Sequence, residues 1–442
     1  MPAIRRYIIE DKIPVPPFNE PASLLTIGTI PLKLHHEEIL ASAFKHQGVE
    51  LKGVFEDVSQ MRSIQGESII YRDNLWFDRE FFGAFMEAAK RSGQACRAAF
   101  RADDVAYKTY VVPLAHDLKK TVTRDGTEVY MLDLWYFPNG YTPDIQPVII
   151  ASDAHEIGFY SVPDFMTMKR GNLTHYAPMR SVMSIESWVH VYFASIIFYN
   201  FARAGRLDKQ IERSFFTNLR LLWRAVLEQR QILSASGAVT IGEGCSIHPS
   251  AIITGPASIG NNCSIGAGAI IDNCTIGDNV NIDAGCMLYQ STVANNCFLP
   301  FRAALYLTAV MENVIIAQNT CLQMCVIGRN SFVGAGNTFT DFNLVAQKPI
   351  RATNRRGELE DVGQIVLGSA VGHNCRIGSG MVVFPGRMIE SDTVLVASPQ
   401  RRVISRSVTY EESDHHFIPG GEVHQRFYPR PGELVEKSED SW

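Results

Sequence analysis

The chain has 442 residues, too many for one ordinary hydrophobic core, so two or more domains are expected. It is 46% hydrophobic and 20% charged with a formal net charge of −5, a balance that suits a globular protein and disfavours a general nucleic-acid binder, whose surface carries a basic excess. The opening "MPAIRRYIIEDKIPVPP" has an arginine pair but no apolar run behind it, so no secretory signal is read there and a cytoplasmic location is expected.

The first 185 residues are aromatic and charged, with no short period. "LLTIG" reads as a strand, "LKLHHEEILASAFKHQG" as a helix closed by Gly48, and "VELKGVFED" as a strand. "ESIIYRDNLWFDREFFGAFMEAAKRSG" repeats the pattern. Ser68–Tyr71 is β-rich, Asp78 caps a helix with Phe81, Phe82, Phe85, Met86 and Ala89 on one face, and Gly93 ends it. Alternation of this kind predicts an α/β domain with a mainly parallel sheet. Ligands of such sheets lie beyond the carboxyl ends of the strands, where Asp73 and Asn74 fall. They are candidates to hold a divalent metal and a phosphate; the alternative is an ordinary helix-entry turn. "RADD" (Arg101–Asp104) is a second polar cluster, better read as a solvated turn.

Residues 186–235 read as a connector of two amphipathic helices, Glu186–Ala204 and Asp208–Arg230. The apolar run from Trp188 is too short for a bilayer and contains His190 and Asn200, so a buried or interface helix is expected and a membrane partner is not. Ile211, Phe215, Leu219, Leu222, Val226 and Leu227 share one face of the second helix, which is expected to cover the open end of the domain that follows.

That domain, residues 236–402, has a period of six: isoleucine stands at 241, 247, 253, 259, 265 and 271. A hexad is neither helical nor strand-like, and is the signature of a β-helix in which three short strands make one coil of a triangular prism. The series continues after a one-residue slip through Ile276, Ile282 and Leu288, then Ile315, Cys321, Ile327, Val333 and Phe339, then Val371, Ile377, Val383, Ile389 and Leu395. Most of the nine cysteines lie two residues before such a position and read as small core fillers, favouring a reducing compartment. Two interruptions, Phe298–Asn313 and Phe339–Gln364, are where a solenoid would build a binding surface. The second holds Lys348, Arg351, Arg355 and Arg356, a cationic loop suited to phosphate unless Glu358, Glu360 and Asp361 neutralise it. His373 and His248 occupy coil corners and are the candidate general bases. Residues 403–442 are aperiodic and expected to be extended or disordered; His415, His416 and His424 lack the spacing of a metal site.

"IGEGCSIHPSAIITGPASIGNNCSIG" resembles the hexapeptide-repeat transferases. That resemblance implies a left-handed parallel β-helix and a homotrimer. The order "LLTIGTIPLKLHHEEIL", then "IIYRDNLWFDREFFGAFMEAA", resembles the sugar-1-phosphate nucleotidyltransferases, which implies that Asp73 is the metal-binding aspartate, with Mg2+ as its ion. The family's glycine-rich nucleotide loop has no counterpart: "VPPFNEPASLLTIGT" precedes "IPL", and Ile30 stands where a lysine belongs. Without that cradle for pyrophosphate charge, nucleotidyl transfer is expected to be lost. "GQIVLGSAVGHNCRIGSGMVVFPGRMI" resembles the acyltransferase domain of the bifunctional glucosamine-1-phosphate uridylyltransferase/acetyltransferases, with Asn343 and Pro385–Gly386 at matching places. This implies acetyl-CoA or another acyl donor and a site that includes Asn343; the long loop, where the family's base would be sought, holds no histidine, and candidate His373 stands at a corner where the family more often has an acidic residue. The expected function is a transferase-like protein acting on or binding a sugar phosphate or nucleotide sugar. The alternative is a non-catalytic trimeric scaffold or ligand sensor.

Overall fold

A computed structural model describes residues 3–161, 172–213, 215–228, 232–235, 237–343, 348–417 and 424–433. The chain divides into two compact units, one of residues 1–13, 21–209 and 361–363, the other of residues 14–20, 210–360 and 364–442.

The first unit is a mixed α/β sheet. Six of its seven strands, in chain order β1 (Ile4–Ile9), β2 (Val49–Phe55), β3 (Ser68–Arg72), β4 (Cys96–Arg101), β5 (Glu128–Phe137) and β6 (Gln146–Ile149), are arranged β6-β4-β5-β3-β1-β2, and the seventh, Lys119–Val122, pairs with one end of β5. β1 runs parallel to β2 and β3, β4 parallel to β6, and β5 antiparallel to both neighbours. Two helices, α1 (Leu32–Ala43) and α2 (Arg79–Ser92), follow the expected pattern. Asp78 accepts from the Phe81 N–H at 2.7 Å, and Gly93 adopts φ 65° to stop α2. All five residues of the expected apolar face of α2 are buried.

Two expectations change here. "LLTIG" is not a sheet strand: Ala22–Leu24 is a 3-10 turn and Thr26–Ile27 pairs locally with Ile30–Pro31. The strand between β2 and β3 is instead β1, "IRRYII", whose Arg6 is buried against the sheet through a two-point pair with Glu37 at 2.6 and 2.7 Å. The helical stretch from Trp188 also belongs to this unit, which extends to residue 209 rather than ending at 185. Every side chain from Trp188 to Phe198 is buried, so the segment is core, as its sequence suggested. Among the described residues no helix is long and apolar enough to cross a membrane.

The second unit is a left-handed parallel β-helix with three faces, each an eight-stranded parallel sheet. The first face runs from Val239–Ile241 to Met388–Ile389, the second from Ser246–Ile247 to Val394–Leu395, the third from Ile252–Thr254 to Val403–Ile404. Each coil turns three corners, and Asn279, Asn296, Asn313 and Asn330 stack at one of them with φ near 57–60°. Their amides link 17 residues apart at 3.0–3.2 Å. Asparagine tolerates this left-handed conformation and also forms the ladder.

Between Ile259 and Phe339 each coil takes seventeen rather than eighteen residues, so there the one-residue slip recurs at the corner between the third and first faces, while the first and last coils keep eighteen. Phe298–Asn313 is therefore not an interruption: Leu299, Leu305 and Val310 continue the core at 0–1% exposure. Ile315 and Cys321 are displaced by one position. Ile315 is 39% exposed and Cys321 half-buried, while Ile316 and Leu322 point inward. None of the nine cysteines is in a disulfide, and seven are buried, among them Cys297, Cys325 and Cys375, whose thiols burial pushes up to about 12.

Both ends of the β-helix differ from expectation. The helix α3 (Phe215–Glu228) buries Leu221 and Ala225, while Leu219, Leu222, Trp223, Val226 and Leu227 are exposed, so the expected apolar face points to solvent. The side chain of Phe215 and residues 229–230 lie outside the described residues. At the other end the tail is not extended. Val403–Ile404 closes the third face, and residues 408–417 and 424–433 pack back on the last coils.

Candidate functional site

At the carboxyl ends of β1 and β3 the chain presents Glu10-Asp11-Lys12 and Asp73-Asn74. Asp73 Oδ1 accepts from the Asp11 N–H at 2.8 Å, and Asn74 Nδ2 donates to Asp11 Oδ2 at 2.7 Å. The other Asp11 oxygen accepts from the Ile13 N–H at 3.0 Å. Asp11 and Asn74 are almost fully buried. Burial raises the Asp73 carboxyl to about 6, against the lowering effect of the Asp11 N–H and the Ser23 hydroxyl, with the nearby Asp11 charge adding to the rise. Asp73 and Asn74 thus stand at the sheet rim as expected, but they are engaged with Asp11, which sequence reasoning missed because β1 itself was missed. Among the described residues no three His, Cys, Asp or Glu side chains are arranged to hold a metal ion.

The "RADD" cluster is a helix entry. Arg101 pairs with Asp103, while Asp104 accepts from the Tyr107 and Ser152 N–H groups at 3.2 and 2.9 Å.

The insertion after Phe339 leaves the corner between the third and first faces and folds as a β-hairpin, Arg351–Thr353 against Leu359–Asp361. Buried Asn354 organises its turn. Its side-chain oxygen accepts from the Arg356 and Glu358 N–H groups at 2.8 and 3.0 Å, and its amide donates to Glu360 at 2.8 Å. Lys348, Arg351 and Arg356 are exposed, Arg355 is half-buried, and Arg351 donates to the Leu359 carbonyl. Asn343 is half-buried at the start of the insertion, beside residues 344–347, which lie outside the described residues. One edge of the prism therefore carries Asn343, Lys348, Arg351, Arg355 and Arg356.

His373 is on a different edge, at the corner between Ala370–Val371 of the first face and Arg376–Ile377 of the second. Its side chain is fully buried. Nδ1 accepts from the Arg329 N–H at 2.9 Å, which places the proton on Nε2, 3.3 Å from the Glu20 carboxylate. The ring packs between Phe18 and Tyr428, with centroids at 5.0 and 4.7 Å. Arg329 completes the cluster through Glu20 and Glu312 at 2.9 and 2.8 Å. Burial lowers the pKa of His373, and Glu20 only partly opposes it. A general base needs a lone pair within reach of substrate, and the Nδ1 lone pair here is taken by a backbone N–H. His373 is a clamp that fastens residues 18–20 and the tail to the β-helix, and this corrects its expected role as base. The other corner histidine, His248, is exposed and bonds Ser250 at 2.8 Å.

Residues 235–302 match the family model described as the GMPPB C-terminal domain, a C-terminal region of sugar nucleotidyltransferase-family proteins. The match covers the first coils of the β-helix. No curated protein matches the chain.

Proposed function

We propose that this is a sugar-nucleotide-transferase-related protein that binds a sugar phosphate or nucleotide sugar without transferring a nucleotidyl group. The observation that carries the reading is the Asp11–Asp73–Asn74 cluster. A transferred nucleotide needs backbone amides and a cation around its phosphates. Here the turn after β1 offers Glu10 and Asp11 instead, and the Asp11 N–H is spent on Asp73. Asp73 remains the residue on which a Mg2+ ion would depend, and nothing in the reading requires that ion.

Assembly as a homotrimer through the β-helix belongs to the same proposal. It is supported by an outward row on the second face, Phe298, Ile315 and Phe332, each 37–39% exposed and in register from coil to coil. Rotation about an axis parallel to the solenoid would set each such residue beside its own copy.

The test is thermal stability of the full chain against sugar phosphates, nucleotide sugars and UTP or dTTP with Mg2+, together with a pyrophosphate-release assay. Stabilisation by a sugar phosphate or nucleotide sugar without pyrophosphate release is expected. Pyrophosphate release lost in Asp73→Ala would overturn the reading in favour of an active nucleotidyltransferase. A second reading, acyl transfer at the hairpin edge, is favoured by the ordered turn that projects Lys348, Arg351 and Arg356. Stabilisation by acetyl-CoA lost in Arg351→Ala with Arg355→Ala would establish it.

A further inference from the structure

In the first unit a cleft of about 320 Å³ opens between the 3-10 turn Val58–Ser63 and strands β4 and β5, lined by Arg62, Arg97, Met131, Trp135, Tyr141 and Ile145 among others. Its charge balance is uneven. Asp133 serves two guanidinium groups at once, accepting from Arg72 Nε at 2.6 Å and from Arg97 Nη2 at 2.7 Å. The Asp11 and Asp117 charges also favour the charged form of Arg72. Arg97, facing the cleft, has the shared Asp133 carboxylate and the Leu132 carbonyl at 2.8 Å, which together use two of its five N–H donors. Burial lowers the pKa of Arg97, with Asp133 opposing the shift and the neighbouring Arg72 charge adding to it.

The guanidinium is also held in place, lying 4.8 Å above the Trp135 ring. At the mouth of the cleft, the Arg62 side chain is exposed and makes no ion pair or side-chain hydrogen bond among the described residues. The Tyr141 hydroxyl likewise has none, although its ring packs on Phe137. Two arginines and a tyrosine therefore line one space, whose remaining walls are Val58, Ser59, Met61, Met131, Trp135 and Ile145.

We infer that this cleft binds a small phosphomonoester, with the phosphate on Arg62 and Arg97 and the body of the ligand against Met131, Tyr141 and Ile145. Guanidinium forks match phosphate oxygens in pairs. The volume is at the small end for ligand pockets, the size of a sugar phosphate or a nucleoside monophosphate rather than of a dinucleotide or coenzyme. This deepens the proposed function by giving its phosphorylated ligand a site, away from both Asp73 and the hairpin.

The experiment is isothermal titration of the full chain with glucose 1-phosphate, UMP and inorganic phosphate, repeated on Arg62→Ala and Arg97→Lys. At least one of the two esters should bind more tightly than inorganic phosphate. Arg62→Ala, at an exposed position that leaves the fold intact, should weaken binding about ten-fold, equivalent to about 1.4 kcal/mol. Arg97→Lys should weaken it further by keeping the charge and losing the fork. Binding unchanged in both variants overturns the site and leaves the functional reading standing. Absence of binding by all three ligands at millimolar concentration, with no stabilisation by nucleotide sugars, overturns both.

Discussion

The backbone N–H of Asp11 donates to the side chain of Asp73, tying the end of the first strand to the end of the third at 2.8 Å. Two acidic residues meet there, and burial holds the Asp73 carboxyl at about 6. The folded protein thus binds a proton at Asp73 more tightly than the unfolded chain does, so stability from this group is full below about pH 4 and is lost as pH rises through about 6. Asp73→Asn keeps an oxygen for the Asp11 N–H and removes the charge. At pH 8 it should stabilise the protein by about 1–2 kcal/mol relative to wild type, with little difference at pH 4.5. Urea unfolding at the two pH values reads this directly, and equal stabilities at pH 8 would show that the carboxyl is not buried as charged.

His373 is shielded from water and packed on Phe18 and Tyr428. His373→Ala leaves a cavity and an unbonded Arg329 N–H, and should cost about 3 kcal/mol at pH 7.5. Because the folded pKa lies below the ordinary value near 6.5, the neutral ring supports the fold above that pH and the support fades as pH falls. Phe18→Ala should be strongly non-additive with it in a double-mutant cycle by denaturant melts. Simple additivity would mean that the two rings do not act together.

The corrected register of the solenoid gives a paired test. Leu322→Ala, at a position fully inside the prism, should cost about 3 kcal/mol. Ile315→Ala, at an outward position, should change the stability of the isolated subunit by less than about 0.5 kcal/mol. Circular dichroism melts at a concentration where the assembly state is fixed distinguish the two, and the reverse order would restore the uncorrected hexad.

Gly368 marks where the hairpin insertion returns to the solenoid. A Cβ there would lie 2.0 Å from the Gln323 carbonyl oxygen and 2.7 Å from that of Met324. Gly368→Ala forces backbone apart and should destabilise by more than about 2 kcal/mol, read as a lower melting temperature. A neutral outcome would mean that the insertion re-enters the coil elsewhere.

By itself the sequence determined what repeats or caps locally. Ile259, Ile265 and Ile271 stand inside the prism because a six-residue spacing admits only one geometry that buries them all. Asp78 and Gly93 bound their helix because a cap acts within one turn of chain. Only tertiary structure decided what depends on meetings far apart in the chain. Ile315 and Ile316 look alike in sequence, and the choice between them rests on how many residues each corner consumes. β1 stayed hidden because a buried arginine reads as polar until Glu37, 31 residues away, neutralises it. His373 looked like an exposed corner base until Phe18 and Tyr428, from opposite ends of the chain, closed over it. Asp11 with Asp73, and Arg72 with Asp133 and Arg97, are joined only when the sheet sets their strands side by side. Burial then shifts their charges, and burial is a property of the folded neighbourhood rather than of any single stretch of sequence.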